Sequence, residues 1–199
     1  MNKLEIFKKC LKDEAEAILN TIDNFGEEVI EAVKIIQEVK EKGHLIITGV
    51  GKSGHIGKKI AASMSSTGTP SFFVHSTEGV HGDLGMITKN DCVLMISNSG
   101  ETKEVLNLLP TLNKIGVKKI SLTRNHNSTL AKACDVSLAY KYERESDELG
   151  LAPTVSSTLT LAVGDALAVT LSTLMNFTPE DFHLYHPGGS LGKQLEKKD

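Results

Sequence analysis

Two short stretches of this chain gather residue types that bind anions. One is Gly49-Val50-Gly51-Lys52-Ser53-Gly54. A glycine-rich turn lets backbone N–H groups, here those around Gly51, approach a ligand closely, and it aims the Lys52 ammonium and the Ser53 hydroxyl the same way. The other is Ser97-Asn98-Ser99-Gly100-Glu101-Thr102. A single Ser or Thr before a helix is ordinary N-capping. Hydroxyls from Ser97, Ser99 and Thr102, with the Asn98 amide and no arginine, make a donor set suited to one phosphate monoester rather than a polyphosphate. A third stretch, His81-Gly82-Asp83-Leu84-Gly85, sets a histidine and an aspartate on a glycine-rich loop.

The first stretch fits G-x-G-x-x-G, the phosphate fingerprint of dinucleotide-binding folds. That reading also needs an acidic residue after the next strand, about 20 residues on, to hold a ribose hydroxyl. The chain there is Phe73-Val74-His75, and the first acid beyond is Glu78. A nucleotide P-loop, G-x-x-x-x-G-K-[ST], would require glycine where the chain has Ile46. What survives is a tight turn that presents donors and a cation.

The elements that must position these residues follow from periodicity. Short apolar runs at residues 44–48, 71–75, 92–96, 119–123 and 136–140 predict strands. Helices are expected at 55–66 (ending at Gly68), at 103–115 (kinked by Pro110 and capped by Gly116), at 129–133, at 154–175 and, after His186-Pro187-Gly188-Gly189, at 190–195. Alternating strands and helices predict an α/β, three-layer doubly wound sandwich with a five-stranded parallel sheet in the order 2-1-3-4-5. In that order a crevice opens at the carboxyl ends of the first and third strands. The two anion-binding stretches follow those two strands, so topology and local chemistry point to one place. The His81 loop, between the second and third strands, is expected beside it.

Ahead of the sheet, Leu4, Phe7, Leu11, Ile18, Ile22, Phe25, Val29, Val33 and Ile36 form a helical stripe that residues 24–26 can break into an antiparallel pair. Residues 1–43 are thus N-terminal helices that pack on the core or an interface, and 44–199 form the main domain. With 199 residues, 40% hydrophobic and 24% charged, the chain suits one structural unit with a sizeable core. A formal net charge of −3, 5% aromatics and no Trp argue against nucleic-acid binding through basic patches or base stacking. Cys10, Cys92 and Cys134 form neither a disulfide framework nor a zinc pattern and fit a reducing compartment. The N-terminus lacks the continuous apolar run of a signal peptide. The most apolar stretch, 159–171, contains Asp165 and is too short to span a bilayer. The expectation is a cytoplasmic protein with no membrane partner.

With these stretches in view, the chain resembles the sugar isomerase (SIS) domain family, with a closer likeness to the D-arabinose 5-phosphate isomerases. The likeness also rests on Ser66-Thr67-Gly68-Thr69-Pro70, His81-Gly82-Asp83-Leu84-Gly85-Met86, Leu149-Gly150-Leu151-Ala152-Pro153-Thr154, Gly164-Asp165-Ala166-Leu167-Ala168 and His186-Pro187-Gly188-Gly189-Ser190-Leu191-Gly192. These occur in the family order and cover roughly residues 44 to 193. Family members commonly carry a pair of CBS domains after this domain, and the likeness here is to a single-domain form without them.

The resemblance implies aldose–ketose isomerisation of D-arabinose 5-phosphate and D-ribulose 5-phosphate through an enediol, with no redox cofactor and no metal. It leaves open whether the product serves Kdo synthesis, capsule synthesis or sugar-alcohol catabolism. By position, Lys52, Glu104, Glu145 and His186 match the family's active-site residues. Lys52 would neutralise enediolate charge, one Glu would be the base and the other its acid partner, and His186 would open the sugar ring or shuttle a proton. Gly51, Ser53, His81, Ser97, Asn98, Ser99 and Thr102 would bind the sugar phosphate. Read locally, Glu145 is only a solvated acid in a charge run. His81, His186 and Glu104 would make a metal site only if the fold happened to gather them. Rival readings are an isomerase of a hexulose or heptulose phosphate and a non-catalytic sugar-phosphate sensor. Family members are homotetramers, dimers of dimers with shared sites, which makes a reach of His186 into a neighbour's crevice the expected arrangement.

Overall fold

The structure is a computed structural model and describes residues 2–188. Strands β1 (Leu45–Gly49), β2 (Ser71–His75), β3 (Cys92–Ile96), β4 (Lys118–Thr123) and β5 (Val136–Ala139) form one parallel sheet in the order β2-β1-β3-β4-β5. The expected topology is therefore the observed one. Strands β1 and β3 are buried along their whole length, which is why they read as continuous apolar runs.

Along β1, Leu45 and Ile47 face one core and Ile46 the other, as a period of two requires. The first core packs the sheet against helices α1 (Lys3–Thr21), α2 (Glu27–Lys40), α3 (Gly51–Ser66) and α8 (Val155–Leu174). The second packs it against α4 (Ser76–Gly79), α5 (Lys103–Leu106), α6 (Leu109–Ile115) and α7 (Thr129–Ala133). A last helix, α9 (Pro179–Tyr185), opens with a Thr178/Asp181 capping box.

Several expectations need correction. Helix α3 begins at Gly51 rather than at residue 55, so the glycine stretch is less a loop than the first turns of a helix. Gly51 has φ +56°, a left-handed conformation that lets the chain turn from strand into helix. The expected helix over 103–115 is two helices. Its break falls just ahead of Pro110, which sits in the first turn of α6 where its missing N–H costs nothing. Gly116 caps α6 with φ +79°, as expected. The apolar stretch within 159–171 belongs to a 20-residue helix, α8, that by length and composition could cross a membrane. In this fold it is a core helix: Leu159, Val163, Leu167 and Leu171 are buried, and Asp165 pairs with Lys59 of α3.

The N-terminal stripe divides. Val33 and Ile36 of α2 are buried, whereas Leu4, Phe7 and Leu11 of α1 are exposed. Helix α1 lies against α8 and buries only Ala17 and Thr21.

Candidate active site

Parallel pairing brings the ends of β1 and β3 side by side, with Thr48 opposite Met95. Between them lies a cavity of about 150 Å³ lined by Val50, Lys52, Ser53, Ile56, Asn98, Pro153, Ser156, Ser157 and Thr160. Three of the residues expected there, Lys52, Ser53 and Asn98, thus share one cavity. Helix α8 supplies the opposite wall. Sequence reasoning missed this wall, although Ser156, Ser157 and Thr160 are hydroxyl residues clustered at the start of an otherwise apolar helix, which was a readable signal.

The serine loop is tied down from several sides. The Ser97 N–H donates to the Leu122 carbonyl at 3.1 Å, and the Asn98 carbonyl accepts from the Arg124 N–H at 3.0 Å. These bonds prolong the β3–β4 ladder into the loop. The Ser97 and Thr102 hydroxyls contact each other at 2.8 Å, and Ser97 Oγ accepts from the Gly100 N–H at 3.0 Å. Ser99 Oγ accepts from the Glu101 N–H at 3.1 Å. Gly100 has φ +71°, and a Cβ there would overlap the Ser128 side chain, so any other residue is strained there. The helix that follows, α5, is a single short turn. Anion binding therefore relies on the loop's hydroxyl and amide donors rather than on a long helix dipole.

Glu145 is not the solvated acid that its local sequence suggests. It is 6% exposed, while its neighbours Glu143 and Glu148 are exposed. Its Oε2 accepts from the Thr154 N–H at 2.9 Å, the Thr154 hydroxyl at 3.2 Å and the Ser156 N–H at 3.1 Å. Its Oε1 accepts from the Tyr142 hydroxyl at 3.1 Å. Thr154 makes no side-chain cap of its own, so Glu145 satisfies the first N–H groups of α8 from a distant position. Burial pushes the carboxyl pKa up, but the hydrogen bonds from Ser156, Thr154 and Tyr142 outweigh it and hold the group below the ordinary glutamate range. Asp147 organises the same segment by accepting from the Leu149, Leu151 and Ala152 N–H groups.

Other expected residues do not line the cavity: Gly51, Ser97, Ser99 and Thr102 lie outside its lining, as do Glu104, in the first turn of α5, and His81, both exposed. His75 caps α4 through Nδ1, which accepts from the Thr77 N–H at 3.3 Å. His186 ends α9, stacked on Phe182 with ring centres 3.9 Å apart and its Nδ1 2.8 Å from the Phe182 carbonyl. Phe177, which precedes α9, packs against Gly68 at the far end of α3. The length of α3, roughly 24 Å at 1.5 Å per residue, separates that end from Lys52. Tyr185, next to His186, stacks on Phe177 with ring centres 6.0 Å apart, so within one chain His186 lies toward that end and does not line the cavity with Lys52. The helix expected over 190–195 lies outside the described residues. Among the described residues, no three His, Cys, Asp or Glu side chains gather as a metal site, so His81, His186 and Glu104 do not converge.

A five-stranded parallel sheet with a serine loop after β3 and a helix N-terminus after β1 is the arrangement of a sugar isomerase domain. The SIS domain model matches residues 38–170, and the chain belongs to that family. It is 49% identical over 182 residues to arabinose 5-phosphate isomerase KdsD of Pseudomonas aeruginosa, covering 92% of this chain and 55% of that protein. It is 54% identical over 154 residues to arabinose 5-phosphate isomerase KpsF of Escherichia coli O6:H1, covering 77% of this chain and 47% of that protein. The chain thus spans about half the length of these relatives. Among solved structures, an E. coli CFT073 protein in complex with arabinose 5-phosphate superposes with a TM-score of 0.90 at 50% identity, covering 94% of this chain and all of that one.

Proposed function

We propose that this chain interconverts D-arabinose 5-phosphate and D-ribulose 5-phosphate. The observation that carries the reading is Asn98 of the serine loop sharing one cavity with Lys52 and Ser53, in a chain half identical to a protein solved in complex with arabinose 5-phosphate. Ser99, Thr102 and Asn98 take the phosphate, together with N–H groups of the loop. Lys52 faces the sugar carbons. A base removes the proton from C2 of the open-chain aldose, and the electron pair forms the C1–C2 double bond of an enediol as O1 gains a proton. O2 then loses its proton as the carbonyl forms there, and C1 receives a proton. Hydrogen moves only as protons within the substrate, so no redox cofactor enters the balance.

Of the two carboxylates, Glu104 is the one free to carry the proton, being exposed in the turn after the serine loop. The Lys52 ammonium neutralises the enediolate. His186, and with it His81, act from a neighbouring subunit, in a homotetramer built as a dimer of dimers. The uncovered apolar face of α1 and the distance of His186 from its own Lys52 support that assembly. The three cysteines are free thiols, in keeping with a cytoplasmic setting.

The test is formation of ribulose 5-phosphate from arabinose 5-phosphate, with six- and seven-carbon phosphosugars in parallel. Preferred turnover of the pentose phosphate is expected. Equal or faster turnover of a larger sugar would assign a different isomerase, and binding without turnover a sensor.

A further inference from the structure

The structure contains a run of polar contacts that joins Glu145 to the serine loop. Glu145 Oε1 meets the Tyr142 hydroxyl at 3.1 Å, and that hydroxyl lies 2.8 Å from Asn98 Nδ2. Asn98 Oδ1 lies 3.1 Å from the Tyr140 hydroxyl, which contacts Thr160 Oγ1 at 3.0 Å. Thr160 Oγ1 is 2.8 Å from the Ser156 carbonyl, and the Ser156 N–H returns to Glu145 Oε2. Tyr140 and Thr160 are fully buried members, and Asn98 lines the cavity.

Counting protons gives the part of the run from Glu145 to Tyr140 a direction. An ionised carboxylate only accepts, so the single Tyr142 proton goes to Glu145. The Tyr142 oxygen must then accept from the group 2.8 Å away, and that group has to be the Asn98 NH2. The Asn98 carbonyl is left facing Tyr140, which donates its single proton to it, so the one Thr160 proton is shared between the Tyr140 oxygen and the Ser156 carbonyl. The second N–H of the Asn98 amide is left unused by these bonds. Arg124 reinforces this direction, since its NH1 donates to the Tyr142 oxygen at 3.4 Å and its guanidinium lies 5.0 Å from the ring centre. Arg144 turns its Nε to the Glu145 carbonyl, not to the carboxylate.

We propose that Glu145 is a positioning residue that acts through Tyr142, fixing the Asn98 amide so that the crevice meets an N–H donor rather than a carbonyl acceptor. A donor there favours an oxygen-rich anion, and a carbonyl would repel it. The four hydrogen bonds that Glu145 accepts leave it poorly placed to take a substrate proton. This assignment rests on the isomerase reading for its kinetic consequences and replaces the acid-partner role that the family likeness implies.

The Glu145→Gln variant separates the two roles. Its carbonyl can still accept from the Thr154 and Ser156 N–H groups, so the start of α8 stays capped. Its NH2 then faces Tyr142 and donates, the Tyr142 proton is released toward Asn98, and the Asn98 amide turns over. Affinity for D-arabinitol 5-phosphate, an unreactive reduced analogue, should fall by roughly 10- to 150-fold, the range for a hydrogen bond to a charged group. Tyr142→Phe, which leaves the α8 contacts intact, should lose a similar factor, and the double variant little more. In turnover both variants should raise KM, while Glu145→Gln keeps the limbs of the pH profile where the unaltered enzyme has them. The proposal is overturned if Glu145→Gln lowers kcat by roughly 10²–10⁴-fold, the contribution of a general acid or base, removes one limb of the profile and leaves analogue affinity unchanged. It is also overturned if Tyr142→Phe binds the analogue normally. If Glu145→Gln does not fold, Tyr142→Phe alone decides. Should the unaltered protein bind the analogue and turn over no arabinose 5-phosphate, the isomerase reading fails, and the affinities still decide the role of Glu145.

Discussion

The hydroxyls of the serine loop have unequal duties, because each already serves the loop in a different way. Ser97 is buried and holds the Gly100 N–H. Ser99 is exposed and keeps its own proton free while accepting from Glu101. Ser99→Ala should therefore weaken sugar-phosphate binding by roughly 10- to 150-fold with little change in melting temperature. Ser97→Ala should lower both. Calorimetric titration and thermal unfolding read the two effects, and unchanged affinity in Ser99→Ala would reduce that hydroxyl to a turn-former. Glu145 adds a pH effect. Its folded-state pKa lies below the ordinary value of 4.5, so near that pH the unfolded chain binds more protons than the folded one. Its contribution to stability is complete above the ordinary value and is lost as the pH falls through the lowered one. Urea unfolding of Glu145→Gln should show a shallower loss of stability on acidification; a slope equal to that of the unaltered protein would refute this. The lowered pKa values of Asp13, Glu101 and Asp135 contribute to the part that remains. This residue also marks the limit of local reading. Glu143-Arg144-Glu145-Ser146-Asp147-Glu148 resembles a solvated run because nothing within it reveals the helix start, nine and eleven residues on, that buries one of its acids.

At the scale of elements, strands were legible to within a residue or two because burial on both faces leaves an apolar run bounded by turn residues. Helix starts were less so. Glycines at 51 and 54 argue for a loop on propensity, yet Gly54 lies close to the Gly49 carbonyl, 3.1 Å from where a Cβ would be, so tight packing of helix on strand favours a glycine there. The break between α5 and α6 was read as a kink because proline's position within the turn depends on where the chain re-enters the core at Leu108 and Leu109. Gly100 offers a sharp test of how the serine loop is held. Alanine there adopts a left-handed conformation that costs roughly 1–2 kcal/mol and overlaps Ser128 as well. For a domain of this size each 1 kcal/mol lowers the melting temperature by about 2–4 °C, so Gly100→Ala should melt several degrees lower. Adding Ser128→Gly should recover the overlap but not the backbone cost. If the pair of changes is simply additive, the loop is not wedged on α7 as described.

For the whole molecule, the decisive question is what covers α1 and what completes the crevice. Leu4, Phe7 and Leu11 are 58%, 63% and 55% exposed on one helix, and a contiguous apolar face of that kind marks an interface. Helix α8 adds little to that surface, since Leu159, Val163, Leu167 and Leu171 are in the core, although Val169 and Leu174 stay exposed. Meanwhile His186 sits at the end of the fold away from its own Lys52, held there by Phe182 and by the packing of Phe177 on Gly68. The proposed tetramer answers both facts with one arrangement, in which α1 faces bury each other and the His186 end of one subunit meets the Lys52 end of another. Complementation tests it. His186→Ala and Lys52→Ala proteins, each inactive alone, are unfolded together and reassembled at equal concentration. In a closed symmetric oligomer with sites shared between two subunits, about one site in four then carries neither lesion, and roughly a quarter of the activity should return. Light scattering at micromolar concentration shows whether mixed tetramers have formed. If they form and no activity returns, each site is built within one chain, and His186 has to reach Lys52 by a rearrangement of α9 instead. If the protein is a monomer, the exposed face of α1 needs another partner and the shared site falls with the assembly.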